Sequence, residues 1–175
     1  MKIHNTDFDQ LNIIEFGFFR DERGILLKPW ISSDLEDLFG SNVEAYITSS
    51  EKGTIRGLHF QKGMFSQKKY VVCLEGRVLD ISVDLRRESA TYGKVFTRTL
   101  QGMDGFGVLI PEGFAHGIFA FKRSAFINFT NHSYSLANED GILWSSIDEL
   151  KDLPVRLISD KDKNLPSLDK VLSCK

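Results

Sequence analysis

The sequence predicts an all-β fold (a sandwich, jelly roll or barrel) on three observations. Glycine punctuates a series of short β-rich runs. One of them, RVLDISVDL at 77–85, alternates with period two. A single short stretch, SSDLEDLFG, carries a helix signature. Many evenly spaced strands separated by turn signals point to packed or closed antiparallel sheets.

The runs, in order, are GILLKPW, VEAYITSS, GTIRGLHFQ, KKYVVCL, RVLDISVDL, KVFTRTL, FGVLIP, HGIFAF and AFINFT. In RVLDISVDL, Val78, Asp80, Ser82 and Asp84 share one face and Leu79, Ile81, Val83 and Leu85 the other, the pattern of a half-buried strand. Glu75-Gly76 between two runs predicts a tight hairpin, because glycine accepts positive φ. In SSDLEDLFG, Ser33 is the expected N-cap, Glu36 closes a capping box and Gly40 ends the helix. The charged tail from about residue 146, interrupted by Pro154 and Pro166, predicts irregular or short helical elements packed beside a barrel.

A chain of 175 residues without repeat, linker or low-complexity segment is expected to form one domain, 1–175. At this size folding buries roughly two-thirds of the unfolded surface, enough for a real core. A formal charge of −2 supplies no general attraction to nucleic acid or membrane surfaces. MKIHNTDFDQ has no hydrophobic signal core, no apolar run reaches spanning length, and Cys73 and Cys174 make no disulfide framework. A cytoplasmic protein with neither nucleic-acid nor membrane partners is the expectation.

Four histidines could carry chemistry. His4 near the terminus and His132 in TNHSYS read as solvated histidines. His59 in RGLHFQ and His116 in IPEGFAHGIF sit where strands meet glycine. The second of these segments resembles a motif of the cupin superfamily. Metal-binding members of that superfamily carry a His-x-His pair followed by glutamate, and here Gln61 occupies the second histidine position. Two histidines without a carboxylate partner make a poor metal site, so the expectation is no metal, no cofactor, and histidines that meet a substrate.

FRDERG, KGTIRGLHFQ, SQKKYVVCLEGRVLDISVDLR, SATYGK, IPEGFAHGI and EDGILW, in that order from about Phe19 to Asp162, resemble the dTDP-4-dehydrorhamnose 3,5-epimerase family. The resemblance implies a cupin-type jelly-roll barrel with short peripheral helices, a homodimer, and metal-independent epimerisation of a nucleotide-linked 4-keto-6-deoxy hexose, as in O-antigen synthesis. A C4 ketone acidifies the hydrogens at C3 and C5, so a base can form an enolate and an acid can reprotonate the opposite face. The resemblance implies that His59 is the base and that Asp162 of ISDKD orients it. Histidine suits this work because its ordinary pKa is near 6.5. By the same match Lys69 stabilises the enolate oxygen; strand alternation points Lys68 beside it to the other face, as a plain surface charge. Arg23 and Arg56 grip the diphosphate, His116 contacts substrate and Lys161 the nucleotide; Gln61 is also placed in the substrate site.

Two departures from the family pattern carry consequences. Counting back from GILW without gaps, Asn128 stands where the family has its tyrosine proton donor, and Tyr134 matches a second tyrosine downstream. An amide is no useful acid near pH 7. The expectation is therefore inversion at one carbon, C3 preferred, with Tyr134 or water as donor and Asn128 as a substrate contact. Lys28 and VEAYITSSEKG replace residues that surround the nucleoside in the family, which leaves dTDP, CDP, GDP and UDP open; Trp30 could stack on a base or lie in the core. A 3,4-keto-isomerase on the same scaffold and a non-catalytic sugar-nucleotide binding module are the alternative readings.

Overall fold

The computed structural model describes residues 1–30, 32–40 and 43–173, so Cys174 lies outside the described residues. Thirteen strands run in chain order: β1 Lys2–Asn5, β2 Asn12–Glu15, β3 Phe18–Asp21, β4 Gly24–Leu27, β5 Glu44–Ser50, β6 Ile55–Gln61, β7 Lys69–Glu75, β8 Arg77–Asp84, β9 Val95–Gln101, β10 Phe106–Ile110, β11 Phe114–Ala120, β12 Ser124–Thr130 and β13 Glu139–Gly141. The helices are α1 Ser32–Phe39, α2 Asp160–Lys163 and α3 Leu168–Ser173. A six-stranded sheet in the order β1-β2-β10-β7-β12-β5 packs on a five-stranded sheet, β13-β6-β11-β8-β9, and β3-β4 forms a separate hairpin. This is a cupin-type jelly roll.

Three apolar layers hold it. Between the sheets, Val71, Cys73, Val108, Ile110 and Phe126 meet Val78, Leu100, Phe114 and Ile118. Burying one such large side chain is worth about 1.5–3 kcal/mol. Cys73 belongs to this layer, and burial pushes its thiol up to about 12, which leaves it unreactive. The C-terminal segment covers the outside of the smaller sheet, with Ile142, Ile147 and Leu150 on Leu58, Ile81 and Phe119. Helix α1 covers the outside of the larger sheet, where Phe39 joins Tyr70, Val72 and Phe129. Trp30, partly buried, packs edge-on against Phe129 at 4.3 Å on this outer layer and does not line the cleft.

Several expectations change. Glu75-Gly76 is no hairpin: β7 and β8 belong to different sheets, and the turn carries the chain across. Gly76 has φ +84°, and a Cβ there would lie 2.3 Å from the Arg123 carbonyl oxygen, so the crossing requires glycine. Strand β8 is not half-solvated, because Asp80, Ser82 and Asp84 are fully buried. Its polar face lines the lumen. Ser33 lies inside α1 and not at its N-cap, while Gly40, at φ +75°, ends the helix as expected. Lys68 is not a plain surface charge, since its ammonium donates to the Leu38 carbonyl at 2.6 Å. A cation at a helix C-terminus complements the partial negative charge there. His4 is held in β1, where Nε2 meets Glu15 Oε2 at 2.6 Å.

Candidate active site

The smaller sheet supplies paired histidines. β6 and β11 are antiparallel, and His59 stands directly opposite His116. Each holds a carboxylate: His59 Nε2 meets Asp162 Oδ1 at 2.7 Å, and His116 Nε2 meets Asp80 Oδ2 at 2.7 Å. A carboxylate only accepts, so each Nε2 carries a proton, and in the neutral imidazole Nδ1 keeps the lone pair. His59 Nδ1 lies 3.9 Å from Glu139 Oε1.

Two hydrogen bonds position Asp162 for His59. Ser159 is the N-cap of α2, its Oγ accepting from the Asp162 amide at 3.1 Å, which folds the carboxylate toward β6. The Gly57 amide donates to Oδ2 at 3.0 Å, leaving Oδ1 for the imidazole. Burial works against the charged form, yet the hydrogen bonds from His59 and Gly57 hold the carboxyl below its ordinary range. Gly57 itself has φ +95°, and a Cβ would fall 2.7 Å from the His116 carbonyl oxygen. Replacing Gly57 by alanine should therefore cost about 1–3 kcal/mol, visible as a lowered Tm, and should weaken the His59–Asp162 pair. A Tm unchanged from wild type would show that β6 adapts freely there.

The larger sheet faces these residues with Lys69 on β7, Asn128 and Phe126 on β12, and Tyr46 and Thr48 on β5. They line a cavity of about 480 Å³ with His59, His116, Arg56, Lys161 and Asp162. A second cavity of about 310 Å³ shares Tyr46, His59 and Lys69 and adds Gln61, Tyr134, Glu139 and Glu44. Burial lowers the Lys69 ammonium to about 8, a shift moderated by the charges of Glu139 and Asp80. Lys69 can therefore give or withdraw positive charge close to neutral pH.

Most residues expected in the site are brought together, each with particular partners. Arg56 is anchored through Nε to Ser50 Oγ at 2.9 Å and through Nη2 to the Ser49 carbonyl at 3.0 Å. Gln61 is buried, and its Oε1 accepts from the Ser135 amide at 3.1 Å. Tyr134 donates to Glu139 Oε2 at 2.7 Å, and Lys161 pairs with the same oxygen. Arg23 is the exception. It lies at the tip of the β3-β4 hairpin, paired with Asp21 and 86% exposed, and it borders neither cavity.

Glu139, Asp80 and Tyr46 are site residues that the sequence reading left without a role. Glu139 is well buried, and although burial opposes ionisation, Lys161 and Tyr134 keep its carboxyl below the ordinary range. Its signal was the EDG triplet before ILW. Pairing of β13 with β6 sets Glu139 across from Gln61 and Gly141 across from His59. Asp80 was legible only as the polar face of an alternating strand. Among the described residues no three His, Cys, Asp or Glu side chains form a group that could hold a metal ion, and none of the helices is long and apolar enough to cross a membrane.

A jelly roll whose lumen sets an oriented histidine against a lysine of lowered pKa can remove a proton beside a carbonyl and hold the resulting charge, the chemistry of an enolising isomerase. The chain belongs to the dTDP-4-dehydrorhamnose 3,5-epimerase family, whose model matches residues 5–170. It is 38% identical over 170 residues to a dTDP-4-dehydrorhamnose 3,5-epimerase of Shigella flexneri, covering 94% of both chains. The fold is similar to that of the Sulfolobus tokodaii enzyme of the same name, with TM-score 0.86, 36% identity, and 97% and 96% of the two chains covered. It is also similar to a Legionella pneumophila dTDP-6-deoxy-D-glucose-3,5-epimerase in complex with dTDP-4-keto-L-rhamnose, with TM-score 0.85, 32% identity, and 96% and 93% covered.

Proposed function

We propose that this protein is a metal-independent epimerase of a nucleotide-linked 4-keto-6-deoxy hexose that inverts C3 alone. The carrying observation is the single cleft in which the His59–Asp162 pair faces Lys69 while Asn128 stands in place of a phenol. His59 Nδ1 takes the C3 hydrogen. Lys69 stabilises the charge that develops on O4, and Arg56 and Lys161 meet the nucleotide diphosphate. Each carbon bears one oxygen, the hydroxyl at C3 and the ring oxygen at C5, and C3 is favoured because its neighbour C2 carries a hydroxyl whereas C5 carries an electron-releasing methyl group. The relatives' names make dTDP the first nucleotide to test.

A homodimer fits the hairpin that carries Arg23. Phe18, Phe19 and Leu26 are 50%, 61% and 57% exposed on it, an apolar surface that a second copy would cover while bringing Arg23 to another cleft.

Turnover of dTDP-4-keto-6-deoxyglucose in heavy water, followed by NMR, tests the reading. Deuterium with inversion at C3 only is expected. Label and inversion at both C3 and C5 would overturn the mono-epimerase assignment. Tight binding without label at either centre would favour a binding module, and movement of the carbonyl to C3 a keto-isomerase.

A further inference from the structure

Proton removal accounts for half of an inversion; the other half needs an acid on the far face of the ring. His59 comes from the smaller sheet, and the larger sheet lines the facing wall of the cavity. Asn128 cannot serve, since an amide is not acidic enough. Tyr134 is 54% exposed, and its hydroxyl is already committed to Glu139.

The register of β12 with β5 sets Tyr46 directly opposite Asn128. Period-two alternation puts Tyr46 on the same face as Thr48, and both line the cavity with Asn128 and Phe126. Directly opposed antiparallel residues have Cβ atoms about 4.5–5.5 Å apart, so a phenol based at 46 reaches the volume that a larger side chain at 128 would fill. Tyr46 shares both cavities with His59 and Lys69. Among the described residues its hydroxyl has no hydrogen-bond partner, so its proton is free for a ligand. Tyr46 is itself 40% exposed, and the desolvation of its cavity side, with the nearby charge of Glu44, raises its pKa and keeps it in the proton-bearing form.

We propose that Tyr46 is the catalytic acid, a phenol displaced by one strand from position 128 that protonates the enolate on the face opposite His59. The assignment rests on the epimerase reading above. In this step the phenol O–H bond breaks and the C3–H bond forms. The pair of electrons comes from the enolate C3–C4 double bond, and the C4–O4 carbonyl is restored. The phenolate then takes a proton from water, and His59 releases to water the proton it removed. Asn128, being small, leaves the ring room to approach.

The test compares wild type, Tyr46→Phe, Tyr134→Phe and the exchanged pair Tyr46→Asn/Asn128→Tyr, in heavy water. The substrate is whichever of dTDP-, CDP-, GDP- and UDP-4-keto-6-deoxyglucose the wild type turns over best, and label and configuration at C3 are scored separately. Without its acid the enolate can still be reprotonated by His59 on the original face. Tyr46→Phe should therefore keep labelling C3 without inversion, while inverted product falls by about 10²–10⁴. Tyr134→Phe should keep inversion and label in step, and the exchanged pair should invert again. Parallel loss of label and inversion in Tyr46→Phe would mark a structural role and overturn the assignment, as would undiminished inversion or uncoupling in Tyr134→Phe instead. A wild type that neither labels nor inverts any of the four substrates overturns the epimerase reading itself.

Discussion

Replacing His59 by glutamine should lower kcat by about 10²–10⁴ and remove deuterium exchange at C3, with little change in nucleotide affinity. Glutamine keeps a side chain of related size and polarity in the cleft, so the loss isolates the proton transfer. The lone pair at risk is that of Nδ1, which is left free because Asp162 accepts a hydrogen bond from Nε2–H. Asp162→Asn makes the complementary point. An amide there can donate to Nε2, which transfers the imidazole proton to Nδ1 and blocks the base while leaving its position nearly intact. The expected loss for Asp162→Asn approaches that of His59→Gln, and the two together should be far from additive, as residues acting as one unit are. Single-turnover exchange rates followed by NMR decide it. Full exchange in His59→Gln would remove the histidine from the mechanism.

Replacing Lys69 by methionine should lower kcat by about 10²–10³ and at the same time stabilise the fold by about 1–3 kcal/mol. The ammonium of Lys69 is held at about 8 against an ordinary 10.5 because burial penalises its charge. A group whose folded pKa is lowered binds fewer protons in the folded state between those two values. Unfolding then takes up a proton, and stability rises with pH across the window from about 8 to 10.5. Below about 8 both states hold the proton, and the full cost of burying the charge is present. The gain in Tm of Lys69→Met over wild type should therefore be largest below pH 8 and shrink toward pH 10.5. Wild-type kcat should fall on the alkaline side of pH 8 as the charge that meets O4 is lost. Thermal melts and rate profiles across that range test both limbs. A Lys69→Met protein less stable than wild type at neutral pH would refute the account of a destabilised, poised lysine.

The two substitutions act on opposite sides of one trade. His59 is oriented by a carboxylate it meets at 2.7 Å, an arrangement that is locally satisfied. Lys69 lines both cavities and is left short of solvation, and Glu139 and Asp80 offset this only in part. A catalytic cation needs that environment, because its interaction with a developing oxyanion strengthens as water is excluded.

The nine strands read from the sequence are all present, because period two and glycine punctuation are properties of consecutive residues. β1, β2, β3 and β13 were not read. They are only three or four residues long, too short for alternation to stand out, and β2 and β13 also pair with strands far along the chain. Helix α1 was legible through Gly40, whose left-handed conformation is a local demand. Its start was read one residue or more late.

What the sequence determined by itself was nine of the strands, the family and the chemical types in the cleft: His59 with Asp162, Lys69, and an asparagine at 128 where a phenol was expected. Tertiary structure decided what those residues do for one another. Sheet crossing at Gly76 turned the expected hairpin into the corner that closes the barrel, and it put the polar face of β8 in the lumen, where Asp80 meets His116. Standing off as a separate hairpin, β3-β4 left Arg23 outside the cleft. Strand register set Tyr46 against Asn128 across 82 positions of sequence, 128 − 46. Contacts of that kind depend on which strands pair and in which phase, and a one-residue slip would turn every side chain to the opposite face. The base we propose for this site could therefore be read from RGLHFQ, whereas the acid we assign to it follows only from the pairing of β5 with β12.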